Sequence, residues 1–186
     1  VINDYDSRPI GYAEGGLPYM TYGLNLACSY KGFDIAIDFA GAALQSFQRN
    51  WETKWPFQAG NTFNYMVEDR WHHEDPLDPS TPWVSGNYPA LRPQSVNAWH
   101  VYCNNSTYWL TNAAYFRMKN LEIGYTIPQK ITQKIAMQKF RVFFNGTNLF
   151  SIDNTSKFGL DPENSDTNGL GYPMVRVLTF GATITF

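Results

Sequence analysis

Three groups of residues carry side chains that could do chemistry. Six tryptophans, Trp51, Trp55, Trp71, Trp83, Trp99 and Trp109, fall within residues 45–112. Indole faces stack on sugar rings and anchor protein interfaces, which makes these six the candidate ligand- or partner-binding residues. A loop of that length would also need aromatic residues to pack against itself. The run His72-His73-Glu74-Asp75 offers two imidazoles and two carboxylates, but adjacent side chains point apart and no second ligand pair stands at useful spacing, so a solvated loop is expected and no metal. Asp161, Glu163 and Asp166, with Asn164 and Asn168, present oxygen ligands without the ligand order and glycine of an EF-hand loop. Calcium there would be adventitious, and no cofactor is expected. Cys28 and Cys103 are too few for a disulfide framework and lack metal spacing. No G-x-S-x-G, no H-E-x-x-H and no glycosidase-like pair of carboxylates occurs, so the sequence does not read as an enzyme.

The elements that must position these residues are written in period-2 alternation. Met20, Tyr22, Leu24, Leu26, Cys28 and Tyr30 are apolar or aromatic, while the residues between them are mostly small or polar. Lys31-Gly32 then makes a two-residue turn. The return strand sets Phe33, Ile35, Ile37 and Phe39 against Asp34, Ala36, Asp38 and Ala40. Further strands are expected over 113–127, 140–150 and 174–186, beside those over 19–30 and 33–44. Phe116 and Met118 fall out of phase with Leu121, Ile123 and Tyr125, which predicts a bulge there or an extension past the apolar zone. The connection 128–139 is short, with Pro128 as a helix starter. The connections 45–112 and 151–173 are long and polar, so short and long links alternate and gather at opposite ends of an up-and-down meander.

Composition narrows the setting. Of 186 residues only 16% are charged and 17% are aromatic, and the net charge is −2. This excludes a disordered chain and gives no basic field for nucleic acid. No uninterrupted apolar run reaches the roughly 18 residues of a transmembrane helix. The chain begins at Val1 without a signal peptide, as expected of a mature or cut piece. Alternation alone does not say which face is wet: a soluble sandwich turns its apolar face inward, whereas an outer-membrane barrel turns it to lipid. Strand length, the asymmetry of the connections and aromatics at the short-turn ends (Tyr30, Phe33, Tyr125, Phe140, Phe186) point to the membrane. The fold class expected is all-β, an antiparallel transmembrane β-barrel segment. Five strands cannot close a barrel, so the remainder must lie elsewhere. Asp34, Asp38, Glu122, Arg141 and Asn145 would line its wet wall.

Specific runs then carry a resemblance. Tyr22-Gly23-Leu24-Asn25-Leu26, Tyr30-Lys31-Gly32-Phe33-Asp34, Phe116-Arg117-Met118-Lys119-Asn120-Leu121, Gly124-Tyr125-Thr126-Ile127-Pro128, Gly146-Thr147-Asn148-Leu149-Phe150 and Gly159-Leu160-Asp161-Pro162-Glu163 resemble the SusC/RagA family of TonB-dependent outer-membrane transporters. The Asp4 to Gly15 region resembles the loop before the first hairpin, and the ending through Phe180, Ile184 and Phe186 resembles a barrel assembly signal. The resemblance implies a plugged barrel of about 22 strands, of which this chain would be the last five or so, in the outer membrane of a Gram-negative bacterium. It places the short turns in the periplasm and the long loops outside. It implies import of oligosaccharides or peptides under a SusD-like lipoprotein lid. TonB would act through a region absent here, and the partners would be the rest of the barrel, its plug and membrane lipid. The readings that compete are a soluble β-domain binding carbohydrate through its Trp-rich loop, and a barrel serving only adhesion or structure.

Overall fold

A computed structural model describes residues 10–12, 17–92, 105–164 and 166–186. Trp99, Cys103 and most of the Asp4 to Gly15 region lie outside them. The chain divides into two compact units: a sheet unit (20–43, 114–153, 174–186) and a loop unit (1–19, 44–113, 154–173).

The sheet unit is antiparallel. Its long strands are β1 (Met20–Tyr30), β2 (Phe33–Ala43), β7 (Tyr115–Thr126), β8 (Lys139–Thr147) and β10 (Val177–Thr185), hydrogen-bonded in the order β1-β2-β7-β8-β10. Lys31 and Gly32 join β1 to β2 with φ of 47° and 89°, the two positive values that a type I′ hairpin needs to follow the strand twist. Register then follows the alternation. Leu26 faces Ile37 and Cys28 faces Ile35 across β1 and β2, Ile35 faces Ile123 across β2 and β7, and Ile123 faces Phe144, which faces Phe180. One face of the sheet is therefore a continuous apolar surface, and it is open: Leu24 is 47% exposed, Phe33 60% and Phe180 79%.

The phase break in β7 has a structural cause. Asp38 pairs with Asn120, but the next residue, Phe39, pairs with Met118, so the register steps over Lys119. This extra residue is a β-bulge, and it returns Met118 and Phe116 to the face of Phe39; the Phe39 and Phe116 rings stack with centroids 5.0 Å apart. The strand expected over 140–150 stops at Thr147. Asn148 adopts a positive φ of 51°, and pairing with β7 resumes as the short β9 (Ser151–Asp153). At the short-turn end, Pro128 opens a helical link, α2 (Gln129–Thr132), extended by a 3-10 turn over Gln133–Ile135.

The loop unit is not structureless. Its elements are β3 (Ser46–Gln48) paired with β6 (Leu110–Asn112), the helix α1 (Asn64–Glu68), and β4 (His72–His73) paired with β5 (Trp83–Val84). Two small cores hold it: Met66, Tyr88 and Trp109, and Phe47, Ala113 and Leu160. Among the described residues no helix is long and apolar enough to cross a membrane.

Candidate functional site

In the sheet unit the chemistry lies on the polar face. Arg141 of β8 donates from Nε to Asp34 Oδ1 at 3.2 Å, from Nη2 to Asp34 Oδ2 and from Nη2 to Glu122 Oε1 at 2.6 Å. Asp34 stands on β2, so the guanidinium crosses the whole width of β7. Gly124 makes this crossing feasible: a Cβ built there would collide with the Arg141 guanidinium and the Asp34 carboxylate. Beside it, Asn25 Nδ2 donates to Asp38 Oδ1 at 2.6 Å and Asn120 Nδ2 to Asp38 Oδ2 at 3.3 Å, linking β1, β2 and β7. Asn145 lies on the same face, directly opposite Glu122. These rows form a hydrogen-bonded wall.

In the loop unit the centre is Trp109, which is fully buried. It has Arg49 Cζ 5.0 Å and Lys54 Nζ 5.6 Å from its ring, and Tyr88 and Tyr108 meet it edge-on. Cations over an indole gain from its quadrupole, most when water is excluded. Beside this core is an open cavity of about 420 Å³, lined by Arg49, Tyr65, Tyr108 and Phe158, with Lys157, Glu68 and Asp69 also contributing. The tyrosines are anchored: Tyr65 OH donates to the Thr53 carbonyl at 2.7 Å and Tyr108 OH to the Asn87 carbonyl at 2.5 Å. Burial pushes both phenols above their ordinary range, so they stay neutral at any physiological pH. Asp69 is held below the usual carboxylate range by the side-chain and backbone N–H groups of Asn87 and stays charged.

The five described tryptophans do not converge. Trp109 is core and presents no face to a ligand, against the binding role expected of it, and Trp55 packs on the same core, half-buried. Trp51, Trp71 and Trp83 are exposed. Trp83 lies against the His73 ring, centroids 4.0 Å apart, across the β4–β5 ladder. His72 and His73 each turn Nδ1 to a backbone carbonyl, of His73 and Thr81 respectively. In the acidic loop, Asp161 accepts from the Glu163 N–H, Asn164 from Asp166, and Asp166 from both Asn168 and Gly171. Its oxygens thus fold the loop on itself, and among the described residues no trio of His, Cys, Asp or Glu is placed to hold a metal.

No protein-family model matches the chain. The TonB-dependent receptor P3 of Formosa agariphila is 28% identical over 182 residues, covering 91% of this chain and 16% of that receptor. The RagAB peptide importer in its closed-closed state matches with a TM-score of 0.59 at 22% identity, over 91% of this chain and 17% of that one. Its open-open state gives 0.57 at 21%, with the same coverage. The fold is that of a β-barrel segment, similar to part of each of these proteins. The chain spans less than a fifth of the length of the proteins it matches, and those proteins are a receptor and an importer rather than enzymes.

The strands of the sheet unit carry motifs that alternation and spacing make visible in the sequence. The cavity residues are different. Arg49 and Tyr108 stand 59 residues apart, and nothing in the local pattern around Gln48-Arg49-Asn50 marks it. A weak pointer exists: an arginine placed directly after a short buried strand is too close to the core to be solvated freely.

Proposed function

We propose that this chain forms part of the wall and the outer loops of a TonB-dependent transporter in a Gram-negative outer membrane, importing nutrient oligomers beneath a SusD-like lid lipoprotein. The observation that carries this is the sheet itself. Its apolar face is continuous from β1 to β10 and open, and among the described residues β1 and β10 each pair along one edge only. A face of that kind suits hydrocarbon, where every backbone group must be satisfied by neighbouring strands. The remaining strands and a plug would complete the barrel, and TonB would engage a region outside this chain. Phe180, Ile184 and Phe186, all exposed, serve assembly against lipid and neighbouring strands. The loop unit faces the outside, where Trp51, Trp71 and Trp83 meet ligand or lid. Oligosaccharide and peptide both suit aromatic rim surfaces.

The test is extraction of the native polypeptide from outer membranes with detergent, followed by its intact mass. A mass several times that of 186 residues supports the reading. A soluble polypeptide of this size overturns it and leaves a carbohydrate-binding β-domain. In the native protein, joint replacement of the exposed Trp51, Trp71 and Trp83 by alanine is expected to weaken ligand or lid binding without lowering barrel levels; unchanged binding removes their role.

A further inference from the structure

The loop unit contains a cation whose surroundings are incomplete. Arg49 is 4% exposed. Its guanidinium carbon lies 4.1 Å from the Phe158 ring centroid, 5.0 Å from that of Trp109 and 5.4 Å from that of Tyr108. Nη2 donates to the Tyr108 carbonyl at 2.7 Å, while Nε has no acceptor. Among the described residues no carboxylate forms an ion pair with it. Aromatic faces compensate a buried cation only in part, and an unpaired buried charge is costly. Yet this side chain borders the open cavity of about 420 Å³, within the size range of small-ligand sites.

We infer that this cavity receives a carboxylate group of the incoming oligomer, with Arg49 as its charged partner. Three observations select a carboxylate. A guanidinium fork matches a planar carboxylate in two parallel hydrogen bonds. Lys157 is an exposed second cation on the lining. Glu68 and Asp69, on the same lining, would repel a dianion such as phosphate but accept hydrogen bonds from hydroxyl or amide groups attached to a monoanion. The rings of Tyr65, Tyr108 and Phe158 cover the carbon skeleton. Either a uronate sugar or a peptide C-terminus supplies this chemistry. The inference rests on the transport reading for the source of the ligand.

The experiment is calorimetric titration of the full-length protein in detergent with two probes. One is an oligosaccharide ending in glucuronate, the other a short peptide with a free C-terminus; each is paired with its methyl ester. At least one acid is expected to bind, and which one does so identifies the source. Esterification and Arg49→Gln should each weaken that binding by about tenfold or more, and Lys157→Gln by about threefold, with ester binding unmoved. Equal binding of acid and ester overturns the inference, as does no binding of either acid, or wild-type affinity in the Arg49 variant. If Arg49→Gln fails to assemble, Lys157→Glu decides instead, because Lys157 is solvent-exposed and a reversed charge there must weaken the acid selectively. Recovery of the complete barrel in outer membranes reports separately on the transport reading, so a correctly sized barrel that ignores both acids refutes the carboxylate site alone.

Discussion

Arg141 in the sheet unit and Arg49 in the loop unit are two guanidinium groups held by their neighbours in different ways. Arg141 is embraced by two carboxylates, Asp34 and Glu122, and a glycine on the intervening strand leaves space for the crossing. Arg49 is stacked among three aromatic rings and keeps one donor unused. The difference follows from how each region is built. Strands in register bring charged residues opposite one another at fixed intervals, so complementary partners are available along the ladder. A folded loop has no ladder; it buries whatever is apolar nearby, and here that is aromatic. The sheet's cation is structurally complete, and the loop's cation keeps a buried donor without an acceptor.

Four perturbations break or sharpen that contrast. The largest effect is expected from Trp109→Ala, which removes the buried ring that Arg49 and Lys54 both approach and should cost the loop unit about 3–5 kcal/mol. Hydrogen exchange should then quicken through residues 44–92 and 154–173 while β1, β2, β7, β8 and β10 keep their protection; equal loosening of both would deny their independence. Next is Ile123→Arg in the middle of the apolar face, where a cation in hydrocarbon costs about 2–4 kcal/mol. The level of barrel in outer membranes should fall, whereas Asn145→Arg on the opposite face should leave it near normal; equal loss from both would refute the assignment of faces. Third is Gly124→Val, whose side chain would occupy the path of Arg141 and cost roughly 1–3 kcal/mol. Replacing Arg141 by methionine in the same chain should recover much of that loss, and no recovery would remove the crossing ion pair as the cause.

The smallest effect concerns pH. Asp69 takes two hydrogen bonds from Asn87, and the Asn87 carbonyl accepts from Tyr108. Because the Asp69 carboxyl is held below its ordinary value, its stabilisation is fully present above about pH 4 and is lost as pH falls through the lower folded value. The protection factor of the Asn87 amide, its exchange relative to an unstructured amide at the same pH, should hold from neutrality to about pH 4 and fall below it, and Asp69→Asn should abolish the acid dependence. A fall well above pH 5 would point to another group.

What the sequence made legible follows the range of the interactions. The hairpin of β1 and β2 is local: alternation fixes its faces and Lys31-Gly32 its turn, so its register could be read from neighbours alone. The bulge in β7 was visible as a phase error, although its position at Lys119 needed the partner strand. The break at Asn148 was not visible, because Phe140 to Phe150 reads as one aromatic-rich strand until the backbone turns. The loop unit was least legible. Trp109 and Trp83 are the same residue in similar polar surroundings, and only contacts distant in sequence make one a core and leave the other exposed. Arg49 was missed for that reason.

The extra residue at Lys119 has a consequence for how such a wall can vary. Side-chain facing in a strand depends on the parity of residue number, so one insertion or deletion would ordinarily send every lipid-facing group of that strand inward. By absorbing one residue outside the ladder, the bulge lets the stretch from Tyr115 to Met118 keep its own parity, independent of Asn120 to Thr126. The end of β7 from which the loop unit departs can thus be lengthened or rebuilt while the half below stays in phase with β2 and β8. A single lysine, stepped over by the β2 register, sets the boundary between the part of the strand that must stay in phase and the part that is free to diversify.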